Sequence, residues 1–217
     1  RETPVVLEVG AHTRWYLRHM LEKKEYHGCK QYIQCDMSEE RLNKNYQDVK
    51  GLLPPGMEFV QICCDEEVPQ AFDIPDRSVD HVVSCLSMHW VNQLEAAMVN
   101  IRRVLKRDSF ALISMFGGNT LYELRSAFTL ADTECEGGLS PHVSPMIDGA
   151  GISQLMLQAG FALPSCDMDR YVLMYESPFH LMEHVQAMGE SACHLQRRPH
   201  TPRSTMTAMA SIYQHLY

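Results

Sequence analysis

The sequence predicts an α/β protein with a mostly parallel sheet and flanking helices, and three observations predict it. Short apolar runs alternate with segments of helical spacing from Val5 to Phe116, a rhythm that implies parallel strands joined by right-handed crossovers. The first run, Val5-Val6-Leu7-Glu8-Val9, leads into Gly10-Ala11-His12-Thr13 and then a helix-competent segment; a strand, a glycine turn and a helix is how a nucleotide-binding sheet opens. Acids stand at the ends of three successive runs, Glu8, Asp36 and Asp65. Parallel topology gathers such positions at one edge, where open α/β sheets bind ligands.

Taken in order, Arg14 to Lys24 fits the first helix and Gln31 to Met37 the second strand. Ser38 is placed to cap a helix running to about Val49, with Glu39 and Glu40 in its first turn, where acids favour the positive helix end. Gly51 and Pro54-Pro55-Gly56 break the chain. Glu58 to Cys64 reads as the third strand, Asp73 to Ser78 as a turn, and Val79 to Leu86 as the fourth strand. Leu94, Met98, Ile101, Val104 and Leu105 share one face of a helix over 93–105. Ser109 to Phe116 is the fifth strand, ended by Gly117-Gly118. Thr120 to Thr133 reads as a helix, followed by a glycine- and proline-rich loop over 134–145. Another helix, Ile152 to Ala159, is stopped by Gly160; Cys166 to Tyr175 reads as a sixth strand, and Pro178 to Met188 and Ser204 to Tyr217 as helices. The expected division is an α/β domain over 1–175 and a helical extension over 176–217 packed on it.

Composition narrows the function classes. The chain has 217 residues, 45% hydrophobic and 21% charged, with net charge −8. An acidic protein is not expected to bind nucleic acid in general, because phosphate neutralisation wants a basic face. Arg197, Arg198 and Arg203 form the clearest basic cluster, and a solvated face accounts for it. No apolar run is long enough to span a membrane. No signal or transit segment is expected, since the first residues already lead into a strand. Eight scattered cysteines with no C-x-x-C pair read as reduced, buried thiols, and no metal site is expected.

The order of strand, glycine turn, helix, strand with Asp36, strand with Asp65 and apolar fourth strand resembles the Rossmann-like class I S-adenosylmethionine-dependent methyltransferases. Ser84-Cys85-Leu86-Ser87-Met88-His89-Trp90-Val91-Asn92 resembles the segment after strand four of the malonyl-carrier-protein methyltransferase of biotin synthesis. The string from Met115 to Arg125, the Glu134–Pro145 loop and Met188-Gly189-Glu190-Ser191 resemble the mitochondrial complex I assembly factor five family. That resemblance implies a methyltransferase-like protein of the mitochondrial matrix. It would act on or bind a protein partner during respiratory complex I assembly, and the family's reported activity is arginine hydroxylation. A facial triad of iron ligands is not legible in the chain. The implied cofactor is S-adenosyl-L-methionine. Matched position by position, Glu8 and Gly10 take the places of the acid and first glycine of the cofactor turn. Asp36, with Met37 beside it, matches the acid for the ribose hydroxyls; Asp65, with Glu66 beside it, matches the acid near the adenine amine; Leu86 lies at the methionyl end.

Two departures set further expectations. The turn has His12 and Arg14 where the family has glycines, which predicts weakened cofactor binding. No closing strand is evident after Tyr175, and a missing strand leaves an open edge that invites a partner. The alternatives are an inactive scaffold in another mitochondrial assembly complex, or an active carboxyl methyltransferase of the biotin-pathway kind. Catalytic candidates are His89 and His142; pocket candidates are His89, Trp90, Phe116, Gly117, Gly118, Glu123, Arg125 and His142. A packed aromatic corner for His89-Trp90, a plain turn for Gly117-Gly118, a surface helix for Glu123 and Arg125, and a structural hydrogen bond for His142 stand beside those readings.

Overall fold

The computed structural model describes residues 4–12, 15–26, 28–191 and 200–217. Thr13, Arg14, Arg197 and Arg198, singled out above, and Cys193, one of the eight cysteines, lie outside the described residues. Five strands form one parallel sheet: β1 (Val5–Val9), β2 (Gln31–Asp36), β3 (Glu58–Cys63), β4 (Val79–Cys85) and β5 (Leu105–Ser114), in the order β3-β2-β1-β4-β5. The order reverses direction at β1, so the crevice between the ends of β1 and β4 is the switch point of the sheet.

Alternation along the strands sorts their side chains onto two faces. Val6, Tyr32 and Val83 meet Leu17, Met20 and Leu21 of α1 (Trp15–Lys23) and Val49 of α2 (Glu39–Val49). Leu7, Val9, Ile33 and Val82 meet Met98, Ile101 and Val104 of α3 (Leu94–Val104). Ser38 caps α2 as expected, accepting the Arg41 N–H at 3.3 Å. The start of α3 is held from a distance: the Glu67 carboxylate accepts the backbone N–H groups of Asn92 and Gln93 at 2.6 and 3.0 Å. Leu105, expected to end that helix, instead begins β5 opposite Val79. Pairing across the sheet overrides a helical period that would otherwise continue by one residue.

By compactness the described chain divides into two units that interleave along the sequence. The first comprises 1–116 and 149–166, so α5 (Gly149–Gln158) belongs with the sheet. The second comprises 117–148 and 167–217 and holds α4 (Tyr122–Glu136), α6 (Pro178–Met188) and α7 (Arg203–Leu216). Its core joins Leu124, Ala127, Phe128 and Ala131 of α4 to Leu181 and Val185 of α6 and Met209 and Ala210 of α7. Ser177 caps α6 and Gly189 ends it in a left-handed conformation.

Two expectations are corrected. Residues 166–175 do not form a sixth strand. A strand is defined by its neighbour, and this segment has no ladder partner among the described residues; Met168, Tyr171, Val172, Leu173 and Met174 are exposed. The β-favouring composition is real, but no sheet edge receives it. The cysteines are not uniformly buried: Cys29 and Cys35 are, whereas Cys63, Cys85, Cys135 and Cys166 are exposed. Strand membership misled here, because Cys63 and Cys85 are the last residues of their strands and point into the open rim rather than the core. Among the described residues no strand follows β5, and no helix is long and apolar enough to cross a membrane.

Candidate cofactor site

The first turn is built by contacts that need glycine. Gly10 has φ +66°, and a Cβ there would stand 1.9 Å from Ser87 Oγ and 2.3 Å from Ser87 Cβ. The turn after β1 therefore lies against Ser87, two residues past β4, with no room for a side chain. Beyond it, the Ala11 N–H donates to the Cys35 carbonyl at 3.0 Å and the His12 N–H to Asp36 Oδ2 at 2.8 Å. His12 has φ +38°, a conformation that costs a non-glycine residue roughly 1–2 kcal/mol, and the charge-assisted bond to Asp36 offsets it. The other Asp36 oxygen accepts the Ser38 N–H at 2.9 Å. Each carboxylate oxygen retains capacity for a second donor.

Behind the turn lies a polar ladder. Glu8, Gln34 and Gln61 are in register across β1, β2 and β3. Glu8 Oε2 accepts from Gln34 Nε2 at 2.7 Å and from the Tyr32 hydroxyl at 3.0 Å. Gln61 Nε2 donates to the Leu42 carbonyl at 2.6 Å and to Gln34 Oε1 at 3.3 Å. Glu8 is 3% exposed. Burial pushes its carboxyl up to about 7, against the pull of the two hydrogen bonds, and the nearby Asp36 charge adds to the rise. Tyr32 is raised with it, by burial first and then by the Glu8 charge.

The remaining acids sit on the same rim. Asp65 Oδ1 accepts the Glu67 N–H at 2.9 Å, closing a tight turn just past β3. Glu66 is buried, which raises its carboxyl, with Asp65 and Asp36 adding to the rise. Met37 is exposed beside Asp36, and Leu86, exposed with φ +52°, follows the last residue of β4. Asp36 ends β2 and Asp65 lies just past β3, whereas Glu8 is one residue short of the end of β1 and buried behind the Gly10 turn. His89 is buried in a short 3-10 turn and packs against Phe116, ring centroids 4.9 Å apart, and Trp90, 5.9 Å apart. Cys35 and Cys64 share a thiol hydrogen bond, which with burial pushes Cys35 up.

Gly117, Gly118, Glu123, Arg125 and His142 belong to the second unit. Arg125 Nη2 donates to the Gly118 carbonyl at 2.9 Å, and a Cβ on Gly118 would come within 3.2 Å of the Met146 carbonyl. The glycine pair and the arginine are therefore one local turn. Glu123 lies in the first turn of α4. His142 Nε2 lies 3.1 Å from both oxygens of Asp132, whose Oδ2 also accepts the Ser140 N–H at 3.0 Å. The His142 ring stacks on Phe128 at 4.0 Å. Sequence reading missed Asp132, a buried helix acid; its signal was a lone carboxylate on the apolar face of α4. Among the described residues no three His, Cys, Asp or Glu side chains are grouped to hold a metal ion.

An open parallel sheet that reverses at β1, with acids near the ends of β1 and β2 and just past β3, defines a class I methyltransferase fold. Residues 7–113 match the family described as methyltransferase domain. The structure of the YcgJ protein of Bacillus subtilis superposes with TM-score 0.64 over 100% of this chain and 80% of that one, at 15% identity. The chain is 38% identical over 217 residues to the mitochondrial arginine-hydroxylase NDUFAF5 of Rattus norvegicus, covering 100% of this chain and 59% of the relative. It is 31% identical over 186 residues to the malonyl-[acyl-carrier protein] O-methyltransferase of Gallionella capsiferriformans, covering 85% of this chain and 60% of that protein. The chain thus has a methyltransferase fold and is similar over its whole length to the mitochondrial arginine-hydroxylase NDUFAF5, spanning 59% of the length of the rat protein.

Proposed function

We propose that this chain binds S-adenosylmethionine at the carboxyl edge of its sheet and serves in the mitochondrial matrix as a complex I assembly factor, acting on or holding a protein partner. The observation that carries the reading is Asp36: a half-buried carboxylate at the end of β2, beside the glycine turn, with acceptor capacity left on both oxygens. The assembly role is what the family resemblance implies, and 38% identity over 217 residues to the mitochondrial NDUFAF5 of rat supports its transfer. Asp36 would accept the ribose hydroxyls, Asp65 the adenine amine, and Leu86 would border the methionyl end. When bound, the cofactor supplies an electrophilic methyl group on a sulfonium. The chain's own residues hold the nucleoside by carboxylate acceptance and place the Gly10 turn against it.

Asp36 already holds two backbone N–H groups, and His12 stands where a smaller residue would leave space. Binding is therefore expected to be weak. The same observation favours a second reading, a partner-binding scaffold without cofactor, since the turn is satisfied by the protein itself. Titration calorimetry with S-adenosylhomocysteine separates the two. Binding that Asp36→Asn weakens about 10-fold or more, as expected for a charge-assisted bond, supports the first; absence of heat at millimolar ligand leaves the scaffold. For the assembly role, cells lacking the protein should lose assembled complex I and regain it with the wild-type chain. Unchanged complex I in those cells would rule the role out.

A further inference from the structure

One side of α6 is apolar: Leu181 and Val185 enter the core of the second unit. The other side carries His180, Glu183 and His184, all exposed. The string His180-Leu181-Met182-Glu183-His184 sets its two histidines four residues apart, so both rings leave the helix on the same side, one turn from each other. That is the spacing with which paired helical histidines chelate zinc. Ser177 fixes where the helix starts by accepting the His180 N–H at 3.2 Å. Met174, Tyr175 and Glu176, which precede the helix, line one cleft of about 530 Å³ together with His180, Glu183 and His184. The Tyr175 hydroxyl lies 2.5 Å from His184 Nδ1, and the two ring centroids are 5.6 Å apart. With the proton on Nδ1, that nitrogen donates to the Tyr175 oxygen and Nε2 keeps its lone pair. A hydrogen bond at one ring nitrogen is what holds a ligating histidine in its tautomer and orientation. The His180 ring makes no hydrogen bond among the described residues, so its nitrogens are open to a ligand.

We propose that this cleft binds a divalent transition-metal ion, zinc by the chemistry of its donors, on the imidazole nitrogens of His180 and His184. Among the described residues no group of three or more His, Cys, Asp or Glu side chains is placed to hold a metal ion, so the protein supplies two ligands and water supplies the others. Glu176 and Glu183 line the same cleft. Their charge favours a dication there, and their oxygens accept hydrogen bonds from its waters. Imidazole suits zinc, copper and nickel, whereas magnesium and calcium take oxygen ligands. Water-filled positions make this a site open to a further ligand rather than a closed structural one.

The test is calorimetric titration of the full, tag-free chain with zinc chloride and with magnesium chloride, alongside thermal unfolding of each protein with and without zinc. Wild type should bind zinc and not magnesium, and zinc should raise its Tm. Tyr175→Phe keeps both ligands and removes only the orienting partner of the His184 ring, so it should weaken zinc about tenfold. His180→Ala and His184→Ala should each weaken it further, and the double variant should show no rise of Tm with zinc. Zinc affinity unchanged in the double variant overturns the inference, as does magnesium binding equal to that of zinc, or no heat from millimolar zinc with folded wild type. If His184→Ala fails to fold, His180→Ala decides alone, because its ring makes no hydrogen bond within the described fold; unchanged zinc affinity there overturns the inference.

Discussion

Gly10→Ala tests the turn on which the site is built. Two costs act on the folded state. The φ of +66° costs an L side chain about 1–2 kcal/mol. The new Cβ, 1.9 Å from Ser87 Oγ and 2.3 Å from Ser87 Cβ, forces an overpacked contact worth about 1–3 kcal/mol. A gain of about 0.5 kcal/mol from a stiffer unfolded chain opposes them. The net loss is about 2–4 kcal/mol, which at about 2–4 °C per kcal/mol for a chain of this size lowers Tm by about 5–15 °C. Urea denaturation of four proteins reads it: wild type, Gly10→Ala, Ser87→Gly and the double variant. Ser87→Gly removes both atoms that the new Cβ would meet, leaving only the backbone cost. Gly10→Ala should therefore be about 1–3 kcal/mol cheaper in that background. Equal cost in both backgrounds, or a loss under about 0.5 kcal/mol in the wild type, would refute the packing argument.

Other predictions read different parts of the structure. Glu8 is raised from 4.5 to about 7 in the fold, so the stability it contributes is full below about pH 4.5 and is lost as pH rises through about 7. Stability measured at about pH 5.5 and pH 8 should fall by about 2 kcal/mol more in wild type than in Glu8→Gln; parallel profiles would show that Glu8 is not the titrating group. Asp80, 2% exposed, accepts from Lys106 Nζ at 2.6 Å and from the Val5 N–H at 3.0 Å. Asp80→Ala should cost about 3 kcal/mol, the low end for a broken buried pair because Lys106 reaches solvent, and denaturation should locate the loss in the sheet. Asp132→Ala should free the 137–145 loop, which Asp132 holds through Ser140 and His142. Limited proteolysis there should accelerate while α1–α3 stay protected, and an unchanged cleavage pattern would show that the loop is held by other contacts.

The parts of the fold that were legible are those written in one stretch of chain. Each of β1 to β5 holds a short apolar stretch, although β5 begins at Leu105 and takes in Lys106 to Ser109 ahead of the expected start, and α2 carries its own cap in Ser38. What failed depended on a second stretch. Leu105 obeys the helical period of α3 but pairs with Val79. Residues 166–175 have strand composition and no neighbour to pair with. Cys63 and Cys85 read as buried beside their apolar neighbours, yet each is an exposed strand-end residue. The acids of the candidate site were visible because parallel topology carries every strand end to one edge. Asp36's hold on His12 was not, since it depends on the path of a turn across to a different strand. His142 was singled out by its proline-flanked loop, but its partner Asp132 is ten residues away on α4, where its only signal is a lone carboxylate on the apolar face.

The ladder of Glu8, Gln34 and Gln61 also has a consequence for how the strands find one another. A parallel sheet of apolar runs has little in its backbone to forbid one strand sliding along the next. A slip of β2 by one residue would turn Tyr32 and Gln34 toward the face of Leu7 and Val9, stranding the Glu8 carboxyl, the Tyr32 hydroxyl and the Gln34 amide in hydrocarbon. Each stranded polar group costs about 1–3 kcal/mol, so misaligned pairings are penalised where hydrophobic patterning alone would tolerate them. Three polar side chains in the interior thus act as an alignment key, and the fold accepts an uncomfortable acid in exchange for a single register.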